Sequence, residues 1–203
     1  MSNELKTATG RIIQTLYREG HPDKAILAGL RNAPTITSQR AQAVWPILMA
    51  NLDEYQLSQR EDGVPTSEEV AVYTAIRFYA IYQQGNNESP VYAPAWGKDA
   101  EGVTLFGALG NLRGNDDLRI ATDRRVQPLL ATTNVTGVIN GLTHLVSILK
   151  ANSGLQKIDF AALAQDLYWL QGSYEQASRI RLRWGQQYFS VKQADAQTEG
   201  EKN

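Results

Sequence analysis

Arginine carries most of the chemistry this sequence offers. Counted at about 100° per residue from Ser173, residues Ala177, Ile180, Trp184 and Tyr188 fall on one side of a helix. Arg179, Arg183, Gln186 and Ser190 fall opposite, and Arg181 lands at the edge of the apolar side, where its stem can lie along a core while its head reaches water. A guanidinium is a planar fork that matches two phosphate oxygens, so this ridge suits a nucleic-acid backbone without reading its bases. Only Glu175 lies nearby in sequence to neutralise the three arginines and Lys192. A solvated helix face is the other reading these residues allow. Arg124 and Arg125, with Arg113 and Arg119 upstream, form a second basic cluster, partly offset by Asp116, Asp117 and Asp123.

Other chemistries find little support. The two histidines, His21 beside Pro22 in a turn and His144 inside a helical pattern, form no His-x-x-x-His pair, so no metal site is expected. The chain has no cysteine, which removes disulfides and thiolate zinc sites. The acidic doublets Asp53-Glu54, Glu61-Asp62, Glu68-Glu69 and Asp116-Asp117 fall mostly in loops or first helical turns, where carboxylates favour the helix dipole. Gly102, Gly107, Gly110 and Gly114 lack the Gly-Lys-Ser/Thr of a phosphate loop, and close helix packing explains Gly107-Ala108-Leu109-Gly110 as well. Trp45, Trp96, Trp169 and Trp184 read as core anchors rather than base-stacking platforms, Trp96 least securely because of its Pro-containing loop. No catalytic residue and no cofactor is therefore expected.

These residues must be positioned by helices. The apolar residues Ile12, Ile13 and Leu16 share a helical face that Gly20 and Pro22 stop; Asp23 caps a short second helix, with Arg31 at its end, closed by Ala33-Pro34. Val44, Trp45, Leu48, Met49 and Leu52 are helical in period, with Pro46 either opening or kinking the element. Thr66-Ser67-Glu68-Glu69 is a capping box ahead of a long helix bearing Val70, Tyr73, Arg77, Phe78 and Ile81, which ends at Gly85. After a loop over 86–101 come a short helix around Leu105–Leu112, a helix from about Asp117 with Pro128 as a kink, and a cleanly amphipathic helix capped by Asn134 and ended by Gly154. Asp159 and Ser173 cap two more. The fold class is all-α: a compact bundle of about eight or nine helices over 1–190, either one domain or two small packed bundles with their internal boundary in the loop 86–101, and a polar tail over 191–203.

Composition agrees with one substantial core: 203 residues, 42% of them hydrophobic. No stretch is long and apolar enough to span a bilayer, and Met1–Lys6 lacks a signal-peptide core, so a soluble cytoplasmic protein without membrane contact is expected. The net charge of −1 argues against a free-standing nucleic-acid binder. Its distribution is uneven, however: residues 1–40 hold six Lys or Arg and three acids, residues 51–69 six acids and one Arg.

Four stretches together resemble the CasB family, the small helical subunit of the type I-E CRISPR Cascade surveillance complex. They are Ala28-Gly29-Leu30-Arg31-Asn32; Gly102 to Leu109 running on to Arg124-Arg125; Ile158-Asp159-Phe160 with Leu163, Leu167 and Trp169; and Arg179 to Phe189. The resemblance implies a non-enzymatic protein, present in two copies, that stabilises an assembly of backbone and large subunits around guide RNA and DNA. Its basic faces would hold the guide–target hybrid and the displaced non-target strand through backbone contacts. Arg31, Arg124, Arg125, Arg179, Arg181 and Arg183 match basic positions of the family. Gly107 stands where members often carry Arg, and Thr143-His144 where they often carry a basic pair, so the resemblance does not extend to contacts from the helix after Asn134. A helical adaptor that binds only protein is the alternative the residues leave open.

Overall fold

Polar residues ahead of apolar runs decide where the helices begin. The structure, a computed structural model, describes residues 4–18, 20–98, 100–154 and 156–190. Among them are nine α-helices: α1 (Glu4–Leu16), α2 (Lys24–Arg31), α3 (Trp45–Met49), α4 (Ser67–Gln83), α5 (Leu105–Asn111), α6 (Asp116–Ala131), α7 (Val135–Asn152), α8 (Phe160–Leu170) and α9 (Tyr174–Phe189). Side-chain oxygens of Asp23, Asn134 and Asp159 accept from Ile26, Gly137 and Ala162 backbone N–H at 3.0, 3.1 and 2.8 Å. Thr66 accepts from Glu69 N–H at 3.0 Å while the Glu69 carboxylate accepts from Thr66 N–H at 2.7 Å, completing the capping box that opens α4. Gly85 and Gly154 take positive φ where α4 and α7 stop. The fold is all-α, with a two-residue antiparallel ladder, β1 (Tyr17–Arg18) and β2 (His21–Pro22), formed where the chain reverses between α1 and α2.

Three elements differ from, or resolve, the sequence expectation. Pro46 sits in the first turn of α3, behind a 3-10 turn over Gln39–Val44, so it opens the helix rather than kinking it. α4 is buried nearly all round, from Ala71 through Ala80, and not on a single stripe. Ala71, Ala75 and Ala80 are small enough to let neighbours approach on every face, and α1, α2, α7 and α8 all pack against it. Gly107 does not serve helix packing; a Cβ there would meet the Thr104 hydroxyl of its own helix cap at 2.9 Å.

The core threads through the whole described chain. Phe160 packs edge-on to Tyr79 at 5.9 Å, and Phe106 stacks on Trp184 at 4.6 Å. The long loop after α4 is stitched to the segment ahead of α8 by Ile158 N–H to Val91 O at 2.9 Å, Val103 N–H to Lys157 O at 3.0 Å and Asp159 N–H to Val103 O at 2.9 Å. At Gly102 the loop backbone runs so close to itself that a Cβ would lie 2.0 Å from the Ala93 carbonyl oxygen. Buried apolar residues from both sides of the loop join one cluster. The polar tail over 191–203 lies outside the described residues. Among these no helix is long and apolar enough to cross a membrane, and no group of His, Asp or Glu is arranged to hold a metal ion.

Candidate nucleic-acid interface

α9 is positioned by Ser173, whose hydroxyl accepts from Gln176 N–H while the Gln176 side chain accepts from Ser173 N–H. Ala177, Ile180, Trp184 and Tyr188 face the core, and Arg179 and Arg183 lie on the exposed side, as the periodicity requires. The two arginines are not equivalent. Arg179 enters no ion pair among the described residues. Arg183 is paired with Asp166 of α8, whose other oxygen accepts from Trp184 Nε1 at 2.6 Å. The Asp166 side chain is only 14% exposed. Burial pushes its carboxyl up to about 6 against the opposing pull of Arg183. With Lys6 and Asp159, also paired at 3.4 Å, these residues line a cavity of about 230 Å³ that holds both signs of charge. Arg183 is thus turned inward electrostatically, which corrects the expectation that only Glu175 could neutralise the ridge. The acid responsible is seventeen residues away on another helix and invisible to a one-helix projection.

Arg181 lies half-buried as expected. Its guanidinium donates to Ser178 Oγ at 3.0 Å and Thr132 O at 3.4 Å and lies 5.9 Å from the Tyr174 ring, tying α9 to the end of α6. The helices also meet through the Tyr188 hydroxyl, bonded to Thr122 Oγ1 at 2.8 Å and Asp123 Oδ1 at 2.6 Å. Arg113, in the 3-10 turn ahead of α6, and Arg119 on α6 are neutralised by Asp123 and Asp116. Arg124 and Arg125 are exposed and enter no ion pair among the described residues; Arg125 donates only to Ala121 O at 2.9 Å. The two adjacent helices α6 and α9 therefore present Arg124, Arg125 and Arg179 as uncompensated charge, with Arg181 at their junction. Lys192 lies outside the described residues.

Arg31 stands apart from these, at the end of α2, where its Nη1 donates to Ala80 O of α4 at 3.5 Å. Its neighbour is Lys150 of α7, whose Nζ donates to Gln84 Oε1 at 2.8 Å. Burial, and then the positive charge of Arg31, lower the Lys150 pKa, so the two cations share one locality. One turn before Ala80 on α4, Arg77 donates to Thr143 Oγ1 of α7 at 3.1 Å. Arg77 was legible only as one residue of a helical stripe. The informative sign was the absence of any acid between Glu69 and Glu88, which leaves an arginine within Ile76-Arg77-Phe78 without a partner on its own helix.

The remaining candidates sort by exposure. Trp184 is fully buried, and Trp45 and Trp169 are partly buried, Trp45 donating to Ile36 O at 2.9 Å. Trp96 is 57% exposed with Lys6 Nζ 5.1 Å from its ring, so it does not anchor the core. Both histidines are exposed. α9 also exposes Tyr174, Leu182 and Phe189 along an open groove against Leu130 of α6. Sequence reasoning missed this apolar edge. Leu182 and Phe189, seven residues apart and off the core stripe, were its signal.

Comparison with known proteins places this helical body. The family model described as CRISPR-associated protein Cse2 matches residues 26–189. The solved structure of CasB from Thermobifida fusca matches with a TM-score of 0.62 at 21% identity, over 93% of this chain and 97% of that one. At that identity the shared property is the fold. No curated protein matches the chain.

Proposed function

The chain belongs to the CRISPR-associated Cse2 family, and from that premise we propose that it is a non-enzymatic subunit of a Cascade-type ribonucleoprotein. In this reading it holds nucleic-acid backbone, the guide RNA–target DNA hybrid and the displaced strand, and so stabilises the opened duplex in antiviral defence. The observation that carries the reading is the uncompensated charge on α6 and α9: Arg124, Arg125 and Arg179 are exposed and enter no ion pair among the described residues, although acids outnumber bases in the chain. Guanidinium groups left open on adjacent helices suit phosphates, and they suit single strands and hybrids alike because they read no base. Arg31 supplies a second basic locality on another part of the body. Arg183, engaged by Asp166, contributes only if that pair opens.

The near-neutral net charge fits a subunit whose neighbours raise its effective concentration on the nucleic acid. The apolar edge of Tyr174, Leu182 and Phe189 suits such neighbours: backbone subunits, the large subunit or a second copy. The same edge is what a protein-only adaptor would use, so the readings part on salt. Binding of single-stranded DNA, measured by fluorescence anisotropy alone and within the reconstituted assembly, is expected to weaken steadily with salt. Changing Arg124, Arg125 and Arg179 together to Glu is expected to reduce affinity at least tenfold at low salt. Salt-independent or absent binding in both settings would establish the adaptor. Co-purification from the source cell is expected to recover a guide RNA with large helical-complex partners.

A further inference from the structure

A guanidinium buried without a carboxylate is an unusual thing for a fold to keep. Arg77 is 8% exposed, and its Nε is buried with no hydrogen-bond partner among the described residues. One terminal nitrogen reaches Thr143 Oγ1, whose own hydroxyl hydrogen goes to Ile139 O. A Met at this position would fill the same space without a charge to desolvate, and an arginine stays protonated at any working pH. Burial lowers the Arg77 pKa, opposed by the Tyr73 phenol and by no carboxylate among the described residues. The surroundings add positive charge instead of relieving it. Arg31 bonds the carbonyl of Ala80, three residues along the same helix, and Lys150 sits beside Arg31 on α7.

The helices bring these groups to one seam. Arg77 pairs with Thr143, and Gln84 with Lys150; both contacts advance by seven residues, so α4 and α7 run parallel and in step for about 10 Å along this seam. Arg31 enters from α2 between those two contacts. Two half-buried cations at the rim and one buried cation beneath, none in an ion pair among the described residues, leave an anion as the missing component.

We propose that the seam between α2, α4 and α7 is a phosphate seat, in which Arg31 and Lys150 close over one backbone phosphate of a nucleic-acid strand and Arg77 is the buried anchor beneath it. The proposal rests on the nucleic-acid reading above and extends it to α7, where Thr143 orients Arg77 instead of contacting the strand itself. The charge is retained because the bound anion relieves it; the free protein carries the desolvation.

The test uses the full chain and a dT oligonucleotide at low salt, read by anisotropy, with thermal unfolding of each variant. Arg77→Met is expected to weaken binding by about fivefold to tenfold and to flatten the slope of log affinity against log salt by about one phosphate contact. Its melting temperature is expected to stay level or rise, which a purely structural arginine would not permit. Lys150→Gln, at the rim and harmless to packing, is expected to weaken binding by severalfold with unchanged melting. If the unaltered chain binds and the α6–α9 triple variant weakens it, but Arg77→Met and Lys150→Gln leave affinity and salt slope unchanged, the seat is refuted and the wider reading survives. Arg77→Met melting lower with affinity intact refutes it in the same way. Failure of the unaltered chain to bind at low salt, both alone and within the reconstituted assembly, overturns both.

Discussion

Replacing Asp166 with Asn should make the protein more stable at neutral pH and erase that advantage in acid. Asp166 is buried, and its carboxyl titrates at about 6 instead of the ordinary 3.8. That displacement corresponds to about 3 kcal/mol of preference for the neutral form, already net of the attraction of Arg183. A raised carboxyl takes up its proton in the folded protein before the unfolded chain does. Its contribution to stability therefore improves as pH falls from about 7 to about 4 and is lost as pH rises through about 6. Asn is neutral throughout, and its carbonyl can still accept from Trp184 Nε1. Its amide, however, turns donors toward the Arg183 fork, a mismatch of about 1 kcal/mol at a half-exposed site. The sum favours Asp166→Asn by about 1–2 kcal/mol at pH 7.5. The difference is expected to reach zero or reverse near pH 4. Urea unfolding of both proteins from pH 4 to pH 8 reads it directly. A difference that is flat with pH, or that favours the wild type more strongly as pH rises, would refute the reasoning.

Three further outcomes follow from packing and capping. Thr66→Ala removes both the cap of α4 and the hydrogen bond from its hydroxyl to Gln56 O at 2.6 Å, and is expected to cost about 1–2 kcal/mol in urea unfolding. Gly102→Ala places a methyl group within 2.0 Å of the Ala93 carbonyl oxygen, so the loop must move; a loss of about 3 kcal/mol or more is expected in thermal unfolding. Tyr188→Phe leaves the ring in place but removes the bonds to Thr122 and Asp123 between α9 and α6, for an expected loss of about 1–2 kcal/mol by calorimetry.

What sequence discloses here depends on the range of the interaction involved. Caps act over three residues, so Asp23, Thr66, Asn134, Asp159 and Ser173 announce their helices without any tertiary information. Periodicity separates the buried from the exposed side of α9 for the same reason. It fails for α4, because burial on all faces leaves no polar side to set a period, and Arg77 disappears into the apolar run. Charge compensation is the least legible quantity. Arg113 and Arg119 meet acids within ten residues and could be discounted from sequence, whereas the partner of Arg183 comes from α8 and needed the fold. Arg124, Arg125 and Arg179 are exposed and enter no ion pair among the described residues, although the sequence offered Asp116, Asp117 and Asp123 as a partial offset to the first two. Lys150 acquires meaning only once α7 lies beside α2 and α4.

Asp159 gathers three distant pieces of chain onto one fully buried carboxylate: it caps α8 through Ala162 N–H, accepts from Ala95 N–H of the long loop at 2.9 Å, and pairs with Lys6 of α1. The cap can form with α8 alone, but the attachments to Ala95 and Lys6 join parts of the chain far apart in sequence and need the assembled body. The amide of Ala95, although it belongs to an irregular segment, should therefore exchange with deuterium only when the whole body opens, at a rate set by global unfolding and not by loop fraying. Long, irregular and proline-bearing, the connection is expected to act at Ala95 as a mortised joint, released with the body as a whole.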